Sequence, residues 1–354
     1  MICASIVHSG LPSGINRRAV TMPRVLIYAG IDEAGYGPLL GPLCVACTVF
    51  AVRDLDGSVD GGGCDLWKRL NKAVCRKRTD KRHRIAVDDS KLLKGGPDGP
   101  HHPLKFLERG VLSFVAARSE APAMSCCSDL LGHLEVGACA RDWYTTSTPL
   151  PVGQTLDELR IAAARLHKIL AEQGVSCELM RCEAIDAAEF NDQVDRMGNK
   201  ANVNLCAAMR LIDVVWQRWP EHHPTIVVDH HGGRVRYLQT LMQAYPDAQA
   251  QVLAEEETIS SYRLTRQIHG AASALSLTFV AEAESQHLPV ALASMTAKYV
   301  RELFMLRMNR HFMGLMPDLK PTAGYTEDGR RYLQQIEPLI ANRGIDRRAL
   351  VRCV

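Results

Sequence analysis

The sequence predicts an α/β fold, a mixed sheet with helices laid over it. Two β-branched apolar runs, 25–32 and 43–52, flank a turn rich in glycine and proline and read as an antiparallel hairpin. Farther on, helix-like stretches alternate with short apolar strands, the order that places helices on a sheet. The chain has 354 residues, 47% of them hydrophobic and 23% charged, which supplies a full core for a globular protein of this class.

Residues 1–22 read as a disordered N-terminal extension. Their basic residues follow the short apolar piece instead of preceding it, which is not the plan of a signal peptide, and Met22 offers a second start. After the hairpin, residues 53–64 have loop composition. Trp67–Arg84 carries Lys68, Arg69, Lys72, Arg76, Lys77, Arg78, Lys81, Arg82 and Arg84, either a solvated face or a phosphate-facing patch. A strand is expected at Val111–Ala117 and an amphipathic helix over Thr155–Gln173, stopped by Gly174. A strand over Ser176–Ile185 leads to helices at Ala187–Val194 and Asn202–Arg218. Thr225–Asp229 reads as a short buried strand, Gly232–Gln243 as a helix, and Gln249–Leu253 and Leu275–Ala281 as strands. Pro289–Asn309 and Thr326–Ala341 read as helices.

Several classes are excluded. No apolar run is long and unbroken enough to cross a bilayer. The only Cys-x-x-Cys, Cys44 to Cys47, falls at strand spacing, so its thiols face opposite sides of the sheet and cannot share a zinc ion. The scattered cysteines read as reduced buried thiols, and the protein as a cytoplasmic monomer. A net charge of +3 permits nucleic acid as partner without requiring it.

The chemistry is sought where strands run out at acids. Asp32-Glu33 ends the first strand amid glycines and prolines, and Asp229 ends another. Glycine lets a backbone approach a ligand closely. Carboxylates gathered at one sheet edge repel one another unless a divalent cation lies between them, and oxygen-only ligands suit Mg²⁺ or Mn²⁺.

Gly30-Ile-Asp-Glu-Ala-Gly-Tyr-Gly-Pro38, followed by Gly41-Pro42, resembles the first signature of ribonuclease HII, the type 2 ribonuclease H family. The resemblance continues in order through Asp89-Ser-Lys91-Leu-Leu93, Ile185–Asn191, Asn202–Leu205, Thr225–Asp229, Ala293–Glu302, Gly324-Tyr325-Thr326 and Ile345–Arg348. It implies a ribonuclease H-like fold over residues 23–354: a mixed five-stranded sheet flanked by helices, with C-terminal helices and insertions near 53–87 and 94–175. It implies metal-dependent hydrolysis of the RNA strand in RNA–DNA hybrids, or of ribonucleotides embedded in DNA, leaving 3′-hydroxyl and 5′-phosphate ends. By position, Asp32, Glu33, Asp229 and Glu302 would be the catalytic acids and ligands of a two-metal Mg²⁺ or Mn²⁺ site. Gly35, Tyr36, Gly37, Lys298, Arg301 and Tyr325 would meet the nucleic acid.

The chain departs from the family in three places. Tyr36 stands where the family has arginine, Glu302 where it has aspartate, and His230-His231 follow Asp229. Tyrosine lacks the guanidinium's charge and fork, so altered reading of the ribonucleotide junction is expected. Two other readings stay open: a nucleic-acid-binding protein of this fold with lost or altered catalysis, and a DHH-type phosphoesterase built on Asp229-His230-His231.

Overall fold

The computed structural model describes residues 25–53, 64–96, 99–118, 124–137, 139 and 141–353. The expected extension over 1–22 lies outside them. In chain order the strands are β1 (Val25–Ala34), β2 (Leu43–Arg53), β3 (Val74–Cys75), β4 (Ile85–Ala86), β5 (Val175–Ile185), β6 (Thr225–Asp229), β7 (Gln249–Glu255), β8 (Ile259–Ile268) and β9 (Ala271–Val280). The helices are α1 (Leu66–Arg69), α2 (Ser90–Leu93), α3 (Lys105–Arg118), α4 (Cys127–His133), α5 (Leu156–Glu172), α6 (Ala187–Met197), α7 (Lys200–Arg218), α8 (Leu238–Ala244), α9 (Leu288–Leu315), α10 (Thr326–Arg343) and α11 (Arg347–Leu350).

The main sheet is mixed and flanked by helices, as the alternation predicts. Its order is β5-β2-β1-β6-β9-β8-β7, seven strands where five were expected. The antiparallel β7–β8 edge takes the sheet past five; β7 matches the strand expected over Gln249–Leu253. β1 and β2 form the predicted hairpin, with Asp32 opposite Ala46, while β1, β6 and β9 run parallel.

The central strands β1 and β2 bury both faces, so alternate residues enter different cores. Tyr28, Cys44, Ala46 and Phe50 pack under α3, α5 and α9. Ile27, Ile31, Val45 and Cys47 pack under α7. Cys44 and Cys47 therefore do face opposite ways, and every cysteine among the described residues is free.

Helix α9 is the central post. It is buried nearly all round, and its first turn presses on β1 at Gly30, where a Cβ would lie 2.1 Å from the Val290 nitrogen. Only glycine permits that approach. The Thr48 hydroxyl donates to Pro289 O at 2.7 Å and fixes the same junction.

Three elements differ from expectation. Val111–Ala117 lies within helix α3, and Gly232–Gln243 is helical only from Leu238. Strand β8 was not expected; its buried Tyr262 and Leu264 alternate with exposed Arg263 and Thr265.

Candidate active site at the carboxyl edge of the sheet

Parallel pairing brings the acids together. Ile31 is in register with Val228, so the next residue on each strand is an acid, Asp32 on β1 and Asp229 on β6. β9 ends beside Asp229, and the chain then turns through Ala283–Ser285. The Ala283 N–H donates to Asp229 Oδ1 at 3.0 Å and seats this turn at the sheet edge. Glu284, on that turn, shares a hydrogen bond with Asp229 and keeps a buried Oε2 with no partner.

Burial raises all four acids, and charges among them add to it. Burial, then the charges of Glu33 and Asp229, hold the Asp32 carboxyl well above the usual carboxylate range; a Ser294 hydrogen bond opposes this. Burial lifts Glu33 as well, against a hydrogen bond from Asn204 and the charge of Lys91. Asp229 is pushed up to about 6, chiefly by burial and further by Glu33, with the Ala283 N–H and the Glu284 hydrogen bond working the other way. Burial and the charges of Asp229 and Asp89 raise Glu284. Carboxyls that inhibit one another's ionisation form a site wanting positive charge.

Glu302 stands apart from this group. Its Oε1 lies 2.8 Å from Lys94 Nζ, 3.3 Å from Lys298 Nζ and 3.7 Å from Arg301 Nη1. Burial alone would raise its carboxyl, but Lys94, Lys298 and Arg301 outweigh burial and hold it below the usual range. The fourth acid at the sheet edge is Glu284, four residues beyond the end of β9. No strand-end pattern singles it out, because Glu282 is the first acid after β9 and Glu284 follows on the turn.

The expected substrate-side residues fall in two groups. Gly35 adopts φ +90° and its carbonyl accepts from Arg352 Nη2 at 2.6 Å; a Cβ there would strike the Arg301 side chain at 2.6 Å. Tyr36 lies beside Glu33, with Lys200 Nζ 4.9 Å from its ring centroid, and Gly37 is exposed. Arg301, by contrast, is wholly buried. It donates Nη2 to Leu40 O at 3.2 Å and to Ala323 O at 3.0 Å, clamping the glycine loop to the turn before α10. Lys298 is buried on Glu302. Tyr325 is 49% exposed and presents its ring at the surface, 6.0 Å from Lys298 Nζ.

Sequence reasoning gave no site role to Lys91, Asn204, Ser294 or Glu284. The Ser294 hydroxyl on α9 is also hydrogen-bonded with the Ser90 hydroxyl at 3.0 Å, which ties the Asp89-Ser90-Lys91 segment to the helix behind the acids. His231 packs in an aromatic group with Tyr237 and Phe279, and burial, Arg234 and His230 push it down to about 4. That aromatic packing gives no support to a DHH-type centre.

The donor chemistry suits a hard divalent cation: oxygen donors only, mutually repelling, one oxygen orphaned. Among the described residues, no three His, Cys, Asp or Glu side chains are arranged to hold a metal ion as they stand. A cavity of about 510 Å³ lined by Arg53, Arg118, His167 and Val175 lies at the other end of the strands, away from these acids.

No protein-family model and no curated protein matches the chain. Among solved structures it is similar to ribonuclease HII of Archaeoglobus fulgidus in its complex with PCNA, at 14% identity and TM-score 0.38, covering 92% of this chain and 93% of that one. It is similar to ribonuclease H2 of Pyrococcus horikoshii at 15% identity and TM-score 0.41, covering 92% of each. Bst-RNase HIII in complex with Mn²⁺ follows at 16% identity and TM-score 0.41, covering 92% of this chain and 66% of that one. At these values the likeness carries no argument of its own. The residues at the sheet edge carry it.

Among the described residues no helix is long and apolar enough to cross a membrane.

Proposed function

We propose that the chain is a divalent-cation-dependent endonuclease of the ribonuclease H type. It would hydrolyse the RNA strand of RNA–DNA hybrids, or ribonucleotides embedded in DNA, and leave 3′-hydroxyl and 5′-phosphate ends. One observation carries the reading: the ends of three parallel strands gather Asp32, Glu33, Asp229 and Glu284, all with raised pKa values, at a single edge. Four acids that oppose one another's ionisation are a standing cost unless a cation shares them. The motifs Gly30–Pro38 and Ala293–Glu302 support the same family.

In this reading Asp32, Glu33, Asp229 and Glu284 hold Mg²⁺ or Mn²⁺, in place of the set ending at Glu302. When bound, the ions would stabilise charge at phosphorus and lower the pKa of the attacking water. The chain's own residues do the positioning. Ser294 orients Asp32, Asn204 orients Glu33, and the Ala283 N–H orients Asp229. Tyr325 offers an exposed ring on which a sugar or base can rest. Gly37 leaves the backbone of the loop open to a 2′-hydroxyl or phosphate. The Glu302 cluster fastens the loop from below, through Arg301.

A second reading, nucleic-acid binding without catalysis, is favoured by one observation: the acids do not already stand as a metal cage. A cleavage assay separates the two. A duplex with one embedded ribonucleotide and a continuous RNA–DNA hybrid are each incubated with Mg²⁺ or Mn²⁺. The nuclease reading expects products from the parent protein and none from Asp32→Asn. Binding of both duplexes with no product from either would establish the second reading. Cleavage of the hybrid alone would assign the changed junction reading to Tyr36.

A further inference from the structure

We propose that the open cleft between the 66–87 segment and α5 binds the phosphate backbone of a nucleic-acid duplex, a contact surface additional to the acid-bearing edge. The inference deepens the nuclease reading and rests on it for the kind of polymer presented. The cleft has a volume of about 450 Å³, and its walls carry Lys72, Arg82 and Arg84 on one side, Arg165 and Lys168 on the other. Arg165 Nη1 donates to Arg82 O at 2.9 Å and joins the walls. Arg84 is neutralised by Asp80, and Lys168 lies 3.9 Å from Glu172. The side chains of Lys72 and Arg82 are exposed and make no hydrogen bond or ion pair among the described residues.

The segment is held too firmly to be a mobile basic loop. Val74–Cys75 and Ile85–Ala86 pair in parallel, Trp67 Nε1 donates to Val87 O at 2.9 Å, and Arg109 donates to His83 O at 2.7 Å. Five cations against one lining acid, Glu172, give the cleft a positive field that attracts an anion. Among the described residues the one apolar side chain of the lining, Ile169, is buried, so these walls offer no aromatic or aliphatic anchor of the kind on which a protein partner's affinity concentrates. A regularly charged backbone fits; an acidic protein fits poorly.

The segment that walls the cleft is tied to the end of β1 opposite the acids. Arg69 fastens the segment to Arg53 O at 2.8 Å and Gln173 O at 3.0 Å, and Arg53 pairs with Val25. Asp32 is seven residues farther along β1 than Val25. At about 3.3 Å per residue that is roughly 23 Å, or about seven steps of a duplex at about 3.4 Å per step.

The test is fluorescence anisotropy on a DNA duplex of about 20 base pairs, long enough to span that distance, across a KCl series. Lys72→Glu/Arg82→Glu is expected to bind roughly 30-fold more weakly at 0.15 M salt, with the log–log salt slope reduced by about 2, as loss of two phosphate contacts requires. Arg218→Glu/Arg263→Glu, at the end of α7 and on β8 near the opposite edge of the sheet, is the charge-matched control and should stay within about threefold of the parent. Lys72→Gln/Arg82→Gln should show a smaller loss in the same direction, and serves if the reversed variant does not fold. Parent-like affinity and slope in the folded cleft variants overturn the proposal. If they lose binding while the parent cleaves neither test duplex, the surface stands and the nuclease reading falls.

Discussion

Asp32 on β1 and Glu302 on α9 sit on elements that pack together, yet their surroundings are opposite. Asp32 faces other acids, with Glu33 and Asp229 adding to burial, and its carboxyl is pushed strongly up. Glu302 faces Lys94, Lys298 and Arg301, and its carboxyl is pushed down. The first arrangement is unstable as it stands and asks for a cation; the second already has its cations. Burial is common to both, so neighbours decide which acid is available for chemistry. The chain motif around Glu302 resembles the family's catalytic helix, but the charge about that residue is satisfied.

The largest expected effect comes from Asp32→Asn. Losing one ligand of a site that stabilises the transition state by several kcal/mol should lower cleavage by roughly 10³-fold. The same change removes a buried repelling charge, so the metal-free protein should unfold at a higher urea concentration than the parent. Activity within tenfold of the parent would place the chemistry elsewhere.

Glu284→Gln and Glu302→Gln test the comparison directly. Glu284→Gln should resemble Asp32→Asn in lost cleavage and in little or no lost stability. Glu302→Gln should chiefly lose stability, on the order of 3 kcal/mol, because Lys94, Lys298 and Arg301 are left beside a neutral amide. Parallel urea melts and turnover assays read both quantities. The reverse pattern would restore Glu302 to the active set.

Much of this was legible in the sequence, and the exceptions have physical causes. The β1–β2 hairpin announced itself by β-branched runs around a Gly/Pro turn. Helix α3 did not, because Leu107–Val115 is buried almost continuously between neighbouring elements, and an apolar run without period reads equally as strand or helix. Asp32, Glu33 and Asp229 followed from strands ending in acids. Glu284 lies beyond the last strand residue on a turn, and only the seating of Ala283 on Asp229 brings it back. The cations that claim Glu302 come partly from α9 itself and partly from Lys94, more than 200 positions earlier, a pairing that no local pattern records.

The pH dependence sharpens the contrast. A carboxyl whose folded pKa lies above its unfolded value binds protons more tightly in the native state. Its stabilising contribution is complete below the ordinary carboxylate value and is lost as pH rises through the folded value. For Asp229 that loss runs from about 4 to about 6. The metal-free protein should therefore become less stable as pH rises across this window, and Mg²⁺ or Mn²⁺ should restore it at pH 7 by binding only the native state. Thermal melts with EDTA and with added metal measure both. A metal-insensitive melting temperature at pH 7 would count against a cation at these acids.

The smallest effect concerns Tyr36, where the family carries arginine. Lys200 lies over this ring, so the positive charge at the loop comes from α7 instead of from the loop itself. A cation–π contact of this partly exposed kind contributes about 0.5–1 kcal/mol. Tyr36→Arg would remove the ring and set a guanidinium beside the ammonium, so the family residue should here destabilise the protein by about 1 kcal/mol. Lys200→Ala alone should cost somewhat less. In the Lys200→Ala background, Tyr36→Arg should become nearly neutral, because the repelled partner has gone; a double-mutant cycle from urea denaturation isolates that coupling. If Tyr36→Arg is neutral with Lys200 present, the two residues are merely adjacent. If it also raises cleavage at a single embedded ribonucleotide, the missing guanidinium limited junction reading, and Lys200 does not replace it.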